Sequence, residues 1–309
     1  MTVIVRDLRP GDRSDVESFA RVRHLALPYI LWTPDAILHH VTRTSPEARF
    51  RSLVAEEDGE TIGTAQVSLA HDSPEPGQGL LNIYVHPERT GRGAGGRLVR
   101  AAEEHLSAHG ATKLFAWLLD EPANRAFAER RGYRAGRTAH FLRLDLAEAA
   151  LPPLPAPPAG VDVRTAADFL ADPRPLFQLD AETHADEPSD VDHEFTDYEA
   201  WVEETWQHPL LDRDLTTVVV ADGRPAAFSV AFTDGGSRYA TAMTGTARAY
   251  RGRGLARLAK TYALHRARAA GCTQALTGND SGNGPMLAIN RSLGYEICAT
   301  EVRYVRELG

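Results

Sequence analysis

Hydrophobic and polar positions in the first half of the chain follow two periods. Short apolar or alternating runs predict strands over residues 3–6, 50–56, 61–69, 80–85, 113–119 and 140–146. Apolar residues recurring every three or four positions predict helices over residues 34–42 and 123–131. The same spacing predicts one helix with Val16 and Phe19 on its apolar face and another with Leu98 and Val99. The pair Asp58-Gly59 between two of the strands is a strong turn signal and predicts a hairpin.

The second half of the chain repeats this order of elements. It contains predicted strands over residues 161–164, 216–221, 225–232 and 239–246, and predicted helices around residues 175–183 and 196–204. Equivalent turn residues give the spacing of the repeat: Gly91 and Gly252 lie 161 residues apart, Gly132 and Gly294 162, and Asp58 and Asp222 164. An offset that stays almost constant across separate elements indicates two copies of one fold.

A proline-rich segment separates the two copies. Its prolines, within residues 151–160, exclude a helix or a central strand and favour a stiff extended spacer. The length of 309 residues agrees with two hydrophobic cores. We therefore predict an N-terminal domain over residues 1–150, a linker over residues 151–160 and a C-terminal domain over residues 161–309.

A glycine-rich turn stands where a predicted strand of the second copy gives way to a helix. Residues 251–256 read Arg-Gly-Arg-Gly-Leu-Ala, and the two glycines remove side-chain bulk from the turn. Unpaired backbone N–H groups and the positive end of the helix dipole suit a phosphate group, and Arg251 and Arg253 add positive charge beside them. The turn therefore predicts a pyrophosphate site.

Other interpretations of the glycine turns compete with this one. Gly91, Gly93 and Gly96 match the spacing of a dinucleotide-binding fingerprint, with Asp120 as its ribose ligand. Residues 86–90 separate that turn from its strand, however, and the second copy has Arg257 in place of the third glycine. Neither turn is followed by Lys-Ser or Lys-Thr, which excludes a nucleotide P-loop. A connector without a ligand is the remaining alternative, and two matching turns weigh against it.

Residues 251–256 fit the pattern Arg/Gln-x-x-Gly-x-Gly/Ala of the GNAT acyltransferase superfamily, and residues 283–295 fit its second signature. The chain thus resembles a tandem GNAT N-acetyltransferase, and its C-terminal half is similar to the mycothiol-synthase-like branch. The resemblance implies an α/β (α+β) fold class: two tandem GNAT folds, each with a mixed, mostly antiparallel central sheet flanked by helices. It also implies that acetyl-CoA is a substrate and that its pantetheine passes between two splayed strands.

The resemblance assigns the coenzyme-binding residues copy by copy. In the second copy they are Thr244, Thr246, Arg251, Gly252, Arg253, Gly254, Leu255, Ala256 and Asn283. In the first copy they are Val85, Arg89, Gly91, Arg92, Gly93, Ala94 and Gly95. The first copy departs from the pattern, because Thr90 stands opposite Arg251 and Glu121 stands where the family has Asn. We therefore expect the second copy to carry the working site and the first to have a supporting role.

The implied reaction is attack of an amine on the acyl carbonyl, with a backbone N–H near residues 244–246 stabilising the oxyanion. The family often has a tyrosine that protonates the departing thiolate. Ala128 and Asn290 occupy that position in the two copies. A side-chain amide cannot act as an acid, so we expect Asn290 to hydrogen-bond the coenzyme or the substrate instead. Alternatively, Asn283 and Asn290 are a helix N-cap and part of a polar helix face.

The attacking amine must lose a proton, so the site needs a carboxylate or a histidine. Residues 180–194 are the most acidic stretch of the chain, and a solvated loop accounts for most of them. Our hypothesis is that Glu182 or Asp186 faces the amine. His184 and His193 lie nine residues apart in this stretch, which is not a ligand motif, and we expect no metal.

Composition limits the possible partners. A net charge of −8 argues against nucleic acid, and no apolar run is long enough to span a membrane. The N-terminus lacks the features of a signal peptide, so we expect a cytoplasmic protein. We expect it to be a monomer or a homodimer. An acidic stretch near the site favours a cationic small-molecule amine, such as an aminoglycoside, a polyamine or an amino-sugar conjugate. The alternative is a non-catalytic regulatory or scaffold protein that binds CoA.

Overall fold

The computed structural model describes residues 2–191 and 197–308, and both halves of the chain carry the same order of elements. Those of the first half are β1 (Ile4–Asp7), α1 (Arg13–Ala26), α2 (Pro34–Arg43), β2 (Arg51–Glu57), β3 (Glu60–Leu69), β4 (Gln78–Val85), α3 (Ala94–Ala108), β5 (Lys113–Leu119), α4 (Pro122–Glu129) and β6 (Arg134–Asp145). Those of the second half are β7 (Val161–Thr165), α5 (Arg174–His184), α6 (Tyr198–Trp201), β8 (Thr217–Ala221), β9 (Arg224–Thr233), β10 (Arg238–Thr246), α7 (Leu255–Ala269), β11 (Gln274–Asp280), α8 (Gly284–Ser292) and β12 (Glu296–Glu307).

The chain forms two compact units, and each takes its last strand from the other half of the sequence. The N-terminal unit comprises residues 2–139 and 300–308 with Asp190 and Val191, and the C-terminal unit comprises residues 140–189 and 197–299. In the N-terminal unit the strand order is β1-β2-β3-β4-β5, and residues 301–307 of β12 pair antiparallel with β5. In the C-terminal unit the order is β7-β8-β9-β10-β11, with β6 beside β11.

Both sheets are mostly antiparallel, as expected from the resemblance. In the N-terminal unit β1 to β4 are joined by antiparallel pairs, and β4 and β5 pair in parallel. In the C-terminal unit β7 to β10 are antiparallel and β10 pairs with β11 in parallel. The predicted hairpins turn at Asp58 and Asp222, whose positive φ angles of 51° and 52° suit a tight turn.

Helices cover both faces of each sheet, and the alternation of side chains along the strands shows it. In β2, Leu53 packs in the cluster that contains Leu98 of α3, whereas Val54 packs with Phe19 of α1. In β8, Val219 packs with Leu258 of α7, whereas its neighbours Val218 and Val220 pack with tryptophans from α6 and the turn after it. Since successive strand residues point to opposite faces, a buried strand with apolar residues at every position requires such cover.

Two predicted segments differ from the observed elements. The predicted strand over residues 140–146 belongs to a longer strand that begins at Arg134. The predicted helix over residues 196–204 begins at Tyr198, after the N-cap Asp197, and continues in a π-helical turn through Trp206. Thr196 lies outside the described residues. Among the helices of residues 2–191 and 197–308, none is both long and apolar enough to cross a membrane.

Helix α5 makes a close approach to β10 that requires a glycine in the strand. A Cβ atom at residue 245 would lie 2.6 Å from the Cβ of Thr183, a distance that packed side chains do not reach. We expect Gly245→Ala to lower the free energy of unfolding by about 1–3 kcal/mol, because α5 must move away from the sheet. Urea unfolding measures the effect.

Gly11 supplies the control, since a Cβ at that position would meet nothing within 4 Å. We expect Gly11→Ala to stay within about 0.5 kcal/mol of the wild type. Equal effects of the two substitutions would show that the contact between α5 and β10 is not tight.

Candidate active site

Strands β10 and β11 pair for only part of their length. Their parallel pairing runs from Arg238–Gln274 to Thr241–Thr277, and the rest of β10 pairs only with β9 on its other edge. Alternate backbone N–H groups of residues 243–246 therefore point toward the edge that β11 has left. These groups are available to an oxyanion or an amide of a ligand, as the resemblance implies.

A β-bulge marks the point of separation. The register between β10 and β9 shifts between Thr241 and Met243, so Ala242 is the extra residue. In the N-terminal unit, β4 also leaves β5 after Leu80–Phe115, but the pairing of β3 with β4 has no shift there. A bulge redirects the strand and its side chains, so the two units differ at the position where the strands part.

A cleft opens between the separated strands of the C-terminal unit, which we call the β10–β11 cleft. Its polar lining consists of Thr241, Thr244, Lys260, Thr277, Asn279 and Asn283. Met243, Met286 and the charged Glu187 also line the cleft. The Thr244 Oγ1 is buried and makes no hydrogen bond within the described part of the chain, which leaves it for a ligand in the cleft.

The glycine turn leads directly into α7. Gly252 and Gly254 have φ angles of 76° and 75°, in the left-handed region that glycine adopts without strain. Gly254 is the N-cap, and no side chain of residues 2–191 or 197–308 caps the first turn of α7. Arg253 contacts the ring of Tyr250 and pairs with no carboxylate in the same residues. The N–H groups of this turn and the guanidinium of Arg253 are thus available to a phosphate group, and binding of acetyl-CoA there stays a prediction.

Glu182 and Asp186 lie beside this turn and are engaged by arginines. Asp186 accepts two hydrogen bonds from Arg248, at 2.9 and 2.8 Å, and also pairs with Arg251. Hydrogen bonds from Arg248 and then Arg251 lower the pKa of the Asp186 carboxyl to about 2, so it stays ionised. Glu182 accepts a 2.6 Å hydrogen bond from the backbone N–H of Arg248. Neither carboxylate belongs to the lining of the cleft, and their role toward the amine stays a prediction.

Other members of the acidic stretch have separate environments. Asp180 is buried and accepts a 2.8 Å hydrogen bond from Trp201 Nε1, and burial raises the pKa of its carboxyl. Asp190 belongs to the N-terminal unit, where it pairs with Arg137. Glu187, which the sequence does not single out, lines the cleft. Asp192, His193 and Glu194 lie outside the described residues.

The two asparagines of the second signature serve the local structure of α8. Asn283 is its N-cap, and its Oδ1 accepts a hydrogen bond from Met286 N at 3.2 Å, while the residue also lines the cleft. Asn290 is fully buried and donates a 2.5 Å hydrogen bond to Oδ1 of Asn279 on β11. Asn290 therefore holds the side chain of Asn279, which lines the cleft. A direct contact of Asn290 with coenzyme or substrate stays a prediction.

The sequence interpretation did not identify Lys260, which lies on α7 and lines the cleft. It is 1% exposed, and its Nζ lies 5.4 Å from the centroid of the Tyr295 ring. Burial lowers the pKa of its ammonium group to about 7. A signal existed in the sequence, because only two of the 34 lysine and arginine residues are lysines, Lys113 and Lys260.

Comparison with known proteins decides the family. A model of the acetyltransferase (GNAT) family matches residues 19–133 and again residues 176–295. The chain belongs to the GNAT acetyltransferase family. The predicted tandem arrangement of two GNAT folds is confirmed, and the chain is an N-acetyltransferase. Proteins of this family use acetyl-CoA as a substrate.

Named relatives of this GNAT acetyltransferase support the assignment. A mycothiol acetyltransferase from Nocardia farcinica is 31% identical over 268 residues, which cover 82% of each chain. Another from a Nocardioides species is 30% identical and covers 70% of this chain and 76% of the relative. Among solved structures, a tandem GNAT protein from the clavulanic acid biosynthesis pathway superposes with a TM-score of 0.76 at 21% identity, covering 100% and 99% of the two chains. A GCN5-related N-acetyltransferase from Sphaerobacter thermophilus gives 0.72 at 21% identity, covering 99% of this chain and 95% of that one.

In the N-terminal GNAT unit the arginines of the equivalent turn are held in ion pairs. Gly91 and Gly93 have the same left-handed φ as their counterparts, but Arg92 pairs with the buried Glu57 at 2.6 Å and Arg89 pairs with Glu60 at 2.7 Å. At the start of α3, Ala94 is buried, and a Cβ on Gly95 would lie 3.3 Å from the ring of Phe127 and 3.5 Å from Val85. The ring of Phe127 thus packs where the end of β4 meets the helix.

The described residues of this GNAT protein, 2–191 and 197–308, contain no group of three or more His, Cys, Asp or Glu side chains that could hold a metal ion. His184 lies on α5, and His193, the other histidine of the acidic stretch, is outside these residues.

Burial of Lys260 predicts a pH-dependent stability difference. The pKa of this lysine falls from 10.5 in the unfolded chain to about 7 in the folded one, so between these values the unfolded state binds more protons. Stability of the wild type therefore rises with pH in this window, and Lys260→Met lacks that gain. We expect the stability advantage of Lys260→Met to shrink by about 1.4 kcal/mol per pH unit between pH 7 and 10.5.

Urea unfolding of both proteins at pH 6, 7, 8.5 and 10 measures this difference. Leu264→Met is the control, because Leu264 is equally buried on the same helix and carries no titratable group. Its effect should be independent of pH. A constant difference for Lys260→Met would show that the buried amine keeps its ordinary proton affinity.

Proposed function

We propose that this N-acetyltransferase moves an acetyl group from acetyl-CoA to the amine of a small molecule in the β10–β11 cleft of the C-terminal unit. The observation that carries the proposal is the departure of β10 from β11 after Thr241, beside the uncapped start of α7 at Gly254. This arrangement offers a phosphate site and a polar cleft within one unit. The name of the mycothiol acetyltransferase relatives makes an acceptor related to mycothiol the first candidate, followed by other amino-sugar conjugates.

The coenzyme would be held by the turn and guided by the separated strands. Residues 252–256 supply backbone N–H groups and Arg253 supplies charge, while Thr244 and Asn283 border the path of the pantetheine. Alternate N–H groups of residues 243–246 would stabilise the oxyanion as the amine attacks. Thr246 contributes through its carbonyl oxygen, which accepts a 3.2 Å hydrogen bond from Arg251 Nε. We propose a supporting role for the N-terminal unit, because its turn arginines are paired with Glu57 and Glu60.

Release of thiol from acetyl-CoA, measured with a panel of amines, tests the function. The panel contains a mycothiol-related amine, an aminoglycoside and a polyamine, and calorimetry measures acetyl-CoA binding in parallel. We expect binding together with turnover on at least one amine. Binding without turnover on any of them would contradict the proposal and favour a regulatory or scaffold protein that binds CoA.

A matched pair of glycine substitutions tests which unit binds acetyl-CoA. Gly254 and Gly93 are the N-caps of α7 and α3, both have positive φ, and a Cβ on either would meet nothing within 4 Å. Leucine should therefore strain both turns alike, but only Gly254→Leu would cover N–H groups that bind phosphate. We expect the dissociation constant to rise roughly tenfold for Gly254→Leu, equal to about 1.4 kcal/mol, and less than about twofold for Gly93→Leu. The reverse order would place the coenzyme in the N-terminal unit.

Asp186 should compete with the coenzyme for arginine. Its carboxylate holds Arg248 and Arg251 beside the turn, and these side chains would otherwise be available to phosphate. We expect Asp186→Asn to tighten acetyl-CoA binding by about two- to fivefold, because exposed ion pairs of this kind are weak. Calorimetry at two salt concentrations measures this change. Weaker binding by the variant would show that Asp186 organises the turn instead of competing for it.

A further inference from the structure

Lys260 is a buried amine in a chain that otherwise uses arginine for almost all of its positive charge. Two of the 34 basic residues are lysines. Lys260 belongs to the second turn of α7, the helix whose first turn forms the glycine-rich phosphate site. At 1% exposure it lines the β10–β11 cleft. The helix therefore brings an amine to the place where the proposed transfer occurs.

Lys260 is buried without forming an ion pair in the described part of the chain. Within residues 2–191 and 197–308 its Nζ has no hydrogen bond and no carboxylate partner, and it lies over the ring of Tyr295. The titratable groups nearby are Tyr295, whose ring Lys260 faces, and Glu187, which lines the same cleft. Burial raises the pKa of the Tyr295 hydroxyl, so it stays neutral. Burying an amine without a partner is costly, and the fold gains no ion pair in return.

The other groups considered for proton transfer are engaged elsewhere. Asn290, in the position of the family's tyrosine, has no ionisable proton and is bonded to Asn279. Glu182 and Asp186 are held by Arg248 outside the cleft lining. Lysine can lose its proton when it is buried, whereas an arginine at the same place would remain charged. The cleft thus contains one basic group that is able to change its protonation state.

We propose that Lys260 is the proton-exchanging group of acyl transfer in the β10–β11 cleft, and this rests on the function proposed above. The neutral Nζ accepts the proton that the attacking nitrogen loses as the C–N bond forms. The ammonium then gives this proton to the sulfur as the C–S bond breaks and its electron pair goes to sulfur. Lys260 returns to its starting state, so no other reactant is needed. The burial that lowers the pKa to about 7 lets the group work in both directions near neutral pH.

The small number of lysines allows a direct test that does not depend on turnover. Protein labelled with ¹³C at lysine Cε gives two signals, and Lys260→Met identifies that of Lys260. We expect this signal to titrate near pH 7 and to shift when CoA is added, with the Lys113 signal as the internal reference. Titration above pH 10, or no response to bound CoA, would overturn the inference.

Kinetics with the best amine of the panel tests the role itself. We expect kcat of Lys260→Met and of Lys260→Arg to fall at least about 100-fold, with acetyl-CoA affinity within threefold of the wild type. The wild-type rise of kcat/KM near pH 7 should disappear in both variants. Recovery of activity in Lys260→Arg would indicate a purely electrostatic role and would overturn proton exchange.

Glu187→Gln is the competing variant, since Glu187 is the other ionisable side chain of the cleft wall. Loss of the pH 7 step in Glu187→Gln, with the step kept in Lys260→Met, would assign the proton to the carboxylate and overturn the inference. An active wild type with near-normal Lys260→Met would defeat the inference alone. A wild type that binds acetyl-CoA but acetylates no amine would defeat the proposed function, while the lysine signals would still report the protonation state of Lys260.

Discussion

The separation of β10 from β11 is the constraint on which the candidate site depends. Because β10 no longer pairs with β11 after Thr241, other contacts must hold this segment in place. Its pairing with β9 continues through Thr246. Gly245 lets α5 pack directly on the departing segment, and the hydrogen bond between Asn290 and Asn279 ties the end of β11 to α8. The cleft is therefore held open by packing on both sides, and its exposed N–H groups are fixed before any ligand arrives.

The N-terminal unit has the same fold and a similar separation of strands, but other side chains surround its turn. There β4 also leaves β5 early, but Phe127 packs at the start of α3 near Val85, and Glu57 takes up the charge of Arg92. Both copies thus retain the scaffold, and they differ in the side chains at the turn: Arg92 pairs with Glu57, whereas Arg253 pairs with no carboxylate of residues 2–191 and 197–308. The absence of an arginine at position 90, visible in the sequence, agrees with this difference.

Local signals in the sequence were enough to predict most of the scaffold. The Asp-Gly turns, the alternating strands and the repeated spacing of glycines are properties of neighbouring residues, and they gave the order of elements in both halves. Contacts across long stretches of chain were not accessible in this way. Asp186 meets Arg248 62 residues later, so its partner could not be inferred from an acidic stretch. Lys260 lies at an ordinary polar position in the helical pattern of α7. Its burial depends on strands β8 to β10, which α7 contacts and which no local pattern of the sequence places beside it.

The exchange of last strands has a consequence for the order in which the chain can fold. The sheet of the N-terminal unit ends with residues 301–307 beside β5, and those residues are synthesised well after β5 itself. Until they have been synthesised, the edge of β5 has no permanent partner, although β1 to β5 are complete long before. The final assembly of the first unit is thus a late, long-range event, of the kind that slows folding and leaves a strand edge open to other chains.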